Sequence, residues 1–191
     1  AFTDAMSSLI KGFEAMVPAI LILTLAWTLK SMTDSLGAAE YVSGVVANSA
    51  AGLQQLLPAI IFIVAAFLAF ATGTSWGTFG ILIPICIAVF PAAEPLRIIS
   101  ISACMAGAVC GDHISPISDT TIMASAGAEC KHVHHVSSQL PYALTVATVS
   151  FITFLVAGFT QQLGIFGSAV VSWICGISLL AGALYVLKKK F

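Results

Sequence analysis

Apolar residues gather along the chain in long blocks, separated by short polar gaps and, in two places, interrupted from within. The first block, Val17 to Met32, opens with Pro18, a residue suited to a first helical turn, and with its flanks predicts a spanning helix over 13–34. The second, over 38–53, is short, rich in small residues and mildly amphipathic, which suits a helix lying at a membrane interface. The third covers 58–90 and is interrupted by Thr72-Gly73-Thr74-Ser75-Trp76-Gly77-Thr78. Its arms, Pro58–Ala71 and Phe79–Phe90, would each be about 20 Å long, short of an apolar core of about 30 Å. Two short arms around a Gly/Thr/Ser tip predict a re-entrant hairpin. The fourth block, over 96–128, is interrupted at Gly111–Asp119 and predicts a discontinuous helix. Two ordinary spanning helices close the pattern, over 140–161 and 165–187.

Composition turns this pattern into a class. The chain is 59% hydrophobic and 8% charged, against roughly a quarter charged in soluble domains. It cannot cover a water-facing surface with polar groups, so it is expected to be an all-α polytopic membrane protein whose first partner is the lipid bilayer. The net charge of −1 and the lack of a basic patch suited to phosphates leave no footprint for nucleic acid. Cys86, Cys104, Cys110, Cys130 and Cys175 are scattered without a C-x-x-C pair, so neither a disulfide framework nor a zinc site is expected. The start at Ala1 shows no signal peptide and reads like a piece of a longer protein.

Charge then suggests an orientation. Lys188-Lys189-Lys190 follow the last helix, which puts the C-terminus in the cytoplasm by the positive-inside rule. Counting back, Lys131 and Lys11 also fall inside, the Pro91–Arg97 turn falls outside, and only Arg97 and Lys30 lie outward. A prokaryotic cytoplasmic membrane is the expected location.

The two interruptions carry the candidate chemistry. A helix broken in lipid exposes backbone groups that must be satisfied, so such breaks persist only where they line a protein cavity. The first offers the hydroxyls of Thr72, Thr74, Ser75 and Thr78. The second offers Asp112, His113, Ser115, Ser118, Asp119, Thr120 and Thr121 around Pro116. A carboxylate at a helix centre in a bilayer costs roughly 2.5–3.5 kcal/mol by insertion scales, and intramembrane acids are usually functional. Hydroxyls, carboxylates and freed carbonyls suit a hard cation such as Na+. Desolvation favours the protonated form of a buried carboxylate, so an arriving cation would displace a proton. That competition is antiport in its simplest form.

The run Gly111–Thr121, the tip Thr72–Thr78 and the segment Ser137-Ser138-Gln139-Leu140-Pro141-Tyr142 together resemble the NhaC-type sodium/proton antiporter family. The order of hairpin and discontinuous helix is similar to the wider ion-transporter superfamily, which includes sodium-coupled dicarboxylate symporters. Members of the family contain two inverted halves, and the chain resembles the C-terminal half, from about Gly12 onward. The resemblance implies one repeat of an inverted-repeat secondary transporter, with a partner half elsewhere. It implies Na+/H+ exchange, with Na+ and H+ as transported ions rather than cofactors, and with Asp112, Ser115, Asp119 and the Thr74–Ser75 tip nearest the ion. Ser118 and Thr120 complete the expected site, and His113 is a candidate proton relay. The resemblance does not rank the two carboxylates. Related transporters are often dimers.

Other readings stand beside this one. A sodium- or proton-coupled carrier of an organic acid or amino acid would use the same fold, because hydroxyl-rich tips bind carboxylates as well as cations. Asp119 followed by Thr120-Thr121 is also a plausible helix N-cap. Gly73-Thr74-Ser75-Trp76-Gly77 fits the G-x-S-x-G pattern, with Asp112 and His113 able to complete a triad on paper, so an intramembrane serine hydrolase is a rival. An inactive membrane scaffold is another. Lys131-His132-Val133-His134-His135 could form a metal-binding or pH-sensing cluster, against a plain solvated loop.

Overall fold

A computed structural model describes residues 2–37 and 51–190, and the regular elements among them are all helical. They are α1 (Phe2–Ser35), α2 (Ala51–Thr72), α3 (Ser75–Val89), α4 (Pro95–Ile114), α5 (Asp119–Gly127), α6 (His132–Phe159), a 3-10 turn (Gln161–Leu163) and α7 (Gly164–Lys190). Within α2, α4, α6 and α7 lie stretches long and apolar enough to cross a membrane. The interfacial helix expected over 38–53 falls almost wholly outside the described residues.

Helix α2 is the centre of the bundle, and glycines explain why. A side chain at Gly107 would fall against the Phe62 carbonyl, one at Gly111 against the Ala66 carbonyl, and one at Gly158 against the Gln55 carbonyl. With nothing but hydrogen at these positions, the backbones of α4 and α6 come directly onto that of α2. Gly107 and Gly111 form a G-x-x-x-G pair, the spacing that lets helices pack closely in lipid, where no hydrophobic drive favours their association. Ala65, Ala69, Cys104 and Ala108 fill the seam, and all four are buried. The pair is visible in the sequence as an apolar helix with small residues four apart.

The register of this seam sets everything downstream. Phe62 meets Gly107, Ala66 meets Gly111, and the Phe70 carbonyl accepts a hydrogen bond from Ser115. Each pair is 45 residues apart. A constant separation means that α2 and α4 advance in the same direction, so they are parallel. Helix α3 runs back against this pair: Leu57 and Ile61 share a small cavity of about 120 Å³ with Cys86 and Phe90, so the first half of α2 and the end of α3 lie together. Helix α6 is antiparallel to α2, with Phe62 stacked on Phe154 at 5.6 Å. Helix α7 folds back along α6, where Ser168 donates to the Ala157 carbonyl at 3.0 Å. Lys188 therefore stands at the same end of the bundle as Lys131.

Three boundaries differ from the pattern of apolar blocks. Helix α2 starts at Ala51 and carries Pro58 in its interior, so it is about 33 Å long rather than a half-length arm. Contact with Gly158 at Gln55 holds its first turns in place, and packed neighbours allow a proline inside a membrane helix. Helix α4 continues through Gly111, Asp112 and His113 to Ile114, which shrinks the second break to Ser115–Ser118. Helix α6 starts at His132, so Pro141 and the segment before it are helical.

Candidate functional site

The parallel register brings the two breaks together. Helix α2 ends at Thr72 and α4 at Ile114, and the backbone of Gly73 lies so near the second break that a side chain there would come 2.9 Å from the Ile117 carbonyl. Gly73 takes a left-handed conformation with φ 68°, which costs a residue with a Cβ roughly 1–2 kcal/mol. It ends α2 by donating to the Ala69 carbonyl at 2.8 Å. Thr74 then caps α3, its hydroxyl accepting from the Gly77 amide at 3.4 Å, while Thr78, fully buried, donates to the Thr74 carbonyl at 3.1 Å. Ser75, half-buried, is the first residue of α3.

The second break is built from side chains reaching across it. Ser115 is buried and sends its hydroxyl to the Phe70 carbonyl at 2.8 Å, which pins this break to the end of α2. Thr121 reaches back from α5 to the His113 carbonyl at 3.1 Å. Ser118 and Thr120 share a hydrogen bond of 2.7 Å. His132, at the start of α6, contacts the Pro116 carbonyl at 2.7 Å. These donors occupy several of the carbonyls that a broken helix would otherwise leave open, so a cation here would draw mainly on side-chain oxygens.

The two carboxylates are not equivalent. Asp112, in the last turns of α4, is 4% exposed, and among the described residues no donor reaches its buried Oδ1. A buried carboxylate oxygen without a partner is costly unless a proton or a cation neutralises it. Asp119 is exposed, and its Oδ1 accepts from the Thr120 amide at 2.9 Å. It sits at the head of α5, where a negative charge complements the helix dipole. The capping role foreseen for Asp119 falls to Ser118, whose carbonyl accepts the first bond of α5 from the Ile122 amide at 2.9 Å, while Asp112 holds the unpartnered carboxylate oxygen.

His113 is exposed, and its Nδ1 donates to the Val109 carbonyl of its own helix at 2.9 Å. For the G-x-S-x-G rival, the segment before Ser75 is a helix and not the strand that a nucleophile elbow needs. Among the described residues, no three of His, Cys, Asp and Glu gather to hold a metal ion. His132 instead turns toward the break, His134 is exposed and His135 is half-buried.

Sequence comparison places this arrangement among transporters. The profile of the Na+/H+ antiporter family matches residues 1–159. An uncharacterised protein of Haemophilus influenzae is 46% identical over 188 residues, which is 98% of this chain and 35% of that protein. The malate-2H(+)/Na(+)-lactate antiporter of Bacillus subtilis is 29% identical over 83% of this chain and 34% of its own length. An uncharacterised Na(+)/H(+) antiporter of Haemophilus influenzae is 28% identical over 82% of this chain and 33% of its own length. The chain spans about a third of the length of these curated relatives. No solved structure matches it.

Proposed function

The chain belongs to the Na+/H+ antiporter family, and from that premise we propose that the whole transporter exchanges Na+ for H+ at a site between its two helix breaks. One observation carries this: Asp112, buried at the end of α4 with Oδ1 unpartnered, lies beside two adjoining interruptions lined with hydroxyls. A proton or a small cation answers the same unmet charge, and each excludes the other. Asp112 is the residue where they compete. Ser115, Ser118, Thr120, Thr74 and Ser75 supply oxygens around it, Asp119 orders α5 and adds negative potential, and His113 is an exposed group able to pass protons.

In a bilayer, α2 is the span-length arm and α3 the short arm of a helical hairpin that opens at the end of the bundle away from Lys131 and Lys188. That charged end is cytoplasmic by the positive-inside rule. The chain acts as one repeat beside an oppositely oriented partner half, and a dimer of the whole transporter is expected.

A second reading is exchange or symport of an organic solute with the same ions. The similarity to an antiporter of malate and lactate favours it, and a hydroxyl-rich tip could hold a carboxylate. Reconstitution of the full-length protein in proteoliposomes separates the two. Sodium-driven proton movement without organic solute, lost in Asp112→Asn and kept in Asp119→Asn, supports ion exchange. Proton movement only when malate, lactate or a basic amino acid is present transfers the assignment to solute exchange. Full activity in Asp112→Asn removes the proposed site.

A further inference from the structure

The groove between α4, α6 and α7 takes no part in the site at the breaks. It encloses about 500 Å³, and its α4 wall, from Ile98 to Ala106, ends about 14 Å short of Ser115. Ser102 and Ala106 on α4 and Ala169 on α7 line it and are nevertheless exposed. Small side chains that line a groove and still face outward leave room for a close backbone, which is how helices associate in lipid. Bulky residues flank them: Ile98, Trp173 and Ile177, each also exposed. The hydroxyls of the groove add a second observation. Thr153 donates to the Val149 carbonyl at 2.8 Å, and Ser168 to the Ala157 carbonyl at 3.0 Å. Ser172, one turn beyond Ser168 on the same face of α7, is 7% exposed, and among the described residues its Oγ has no partner. A buried hydroxyl left unpaired is costly, and at bilayer depth neither water nor an acyl chain relieves it. A protein carbonyl or polar side chain does.

We infer that this groove seats a transmembrane helix from the part of the transporter outside residues 1–191. The occupant carries apolar side chains along its contact face and a hydrogen-bond acceptor level with Ser172. Two further observations select it. The chain spans about a third of the length of its curated relatives, so a transporter of that size has other helices to pack against this bundle. They belong to the same polypeptide, which gives them an effective concentration that a separate molecule lacks. The groove is also formed by the helices with the least cover of their own. The apolar windows of α6 and α7 are 11% and 6% buried, against 44% for α4. An acyl chain suits the apolar walls but offers Ser172 no acceptor. The inference rests on the reading of this chain as one part of a larger transporter, and it names the surface that the other part meets.

The test is photo-crosslinking in the full-length protein, reconstituted in liposomes from a mixture of isotopically heavy and light copies. Benzoylphenylalanine is introduced at Ser102 in one preparation and at Ala169 in another, on two different walls of the groove. Mass spectrometry should find both positions joined to one helix outside residues 1–191, with heavy–heavy and light–light adducts exceeding mixed ones about tenfold. Mixed adducts at their statistical share make the groove a contact between copies, and adducts with lipid alone make it a lipid-facing furrow. Either result overturns the inference. Ala106→Leu fills the groove from a position exposed in this bundle, and should cut the Ser102 adduct about fivefold at unchanged helical content. An undiminished yield overturns the seating. Crosslinking does not depend on the transported ion, so the two proposals fail separately. An in-chain adduct in a protein that exchanges no ions removes only the ion assignment, and mixed adducts beside Asp112-dependent exchange remove only the groove.

Discussion

The two helix breaks adjoin and yet are held in different ways. The break at Gly73 is local: a left-handed glycine ends α2, Thr74 caps α3, and all but one of the hydrogen bonds that define it lie within five residues on either side. The break at Ser115–Ser118 has no glycine and is tied to α2, α5 and α6 through Ser115, Thr121 and His132. A locally closed turn is rigid by its own chemistry. A turn closed by distant side chains can change when those side chains change partner or charge. The buried carboxylate lies beside the second kind, where motion can be coupled to neutralisation.

Substitutions can break this contrast or sharpen it, and the largest effect is expected at the seam beneath both breaks. Gly111→Leu drives a side chain into the Ala66 carbonyl and parts α2 from α4. Thermal unfolding in nanodiscs should show a loss of about 3 kcal/mol or more, the upper range for overpacking. If stability is unchanged, the close seam does not set the register. Next comes Asp112→Asn, which should weaken apparent Na+ affinity about tenfold to a hundredfold with the fold intact. Asp119→Asn should stay within about threefold, because the exposed carboxylate bonds the adjacent Thr120 amide, a contact the Asn side-chain oxygen can also make. Equal losses in both would erase the distinction between the buried and the exposed carboxylate.

The local break is tested by Gly73→Ala. It should cost about 1–2 kcal/mol from backbone strain alone, and more from contact with Ile117. The smallest effect belongs to Ser115→Ala, which leaves the Phe70 carbonyl without its donor and should cost about 1 kcal/mol. The readout that matters there is exchange kinetics at Gly73-Thr74. If the first break is self-sufficient, its amide protection stays at the wild-type value while that of Ser115–Ser118 falls.

Much of the site could be read along the chain because its signals are local. Gly73 and Pro116 mark interruptions, since one permits and the other imposes a departure from helix. Polar residues inside apolar runs mark them again. The exact ends were less legible. Pro58 suggested a helix start, yet α2 begins seven residues earlier, at Ala51, and Gly158 of α6 packs against it at Gln55. Asp112 stood in the expected break but lies in the last turns of α4. Nothing in the spacing of Asp112 and Asp119 separates a buried acid from an exposed one. His132 reaches Pro116 across 16 residues, a contact that appears only once α5 and α6 meet.

What the sequence determined by itself is the class of the molecule and the two segments in which its apolar blocks are interrupted. Those follow from transfer of side chains into lipid and from the backbone preferences of single residues. What only the tertiary structure decided is that α2 and α4 run parallel in register, that their breaks adjoin, and that Asp112 rather than Asp119 is left buried. Those depend on how closely two backbones approach at Gly107 and Gly111, and a steric fit between surfaces 45 residues apart leaves no trace in hydrophobic periodicity.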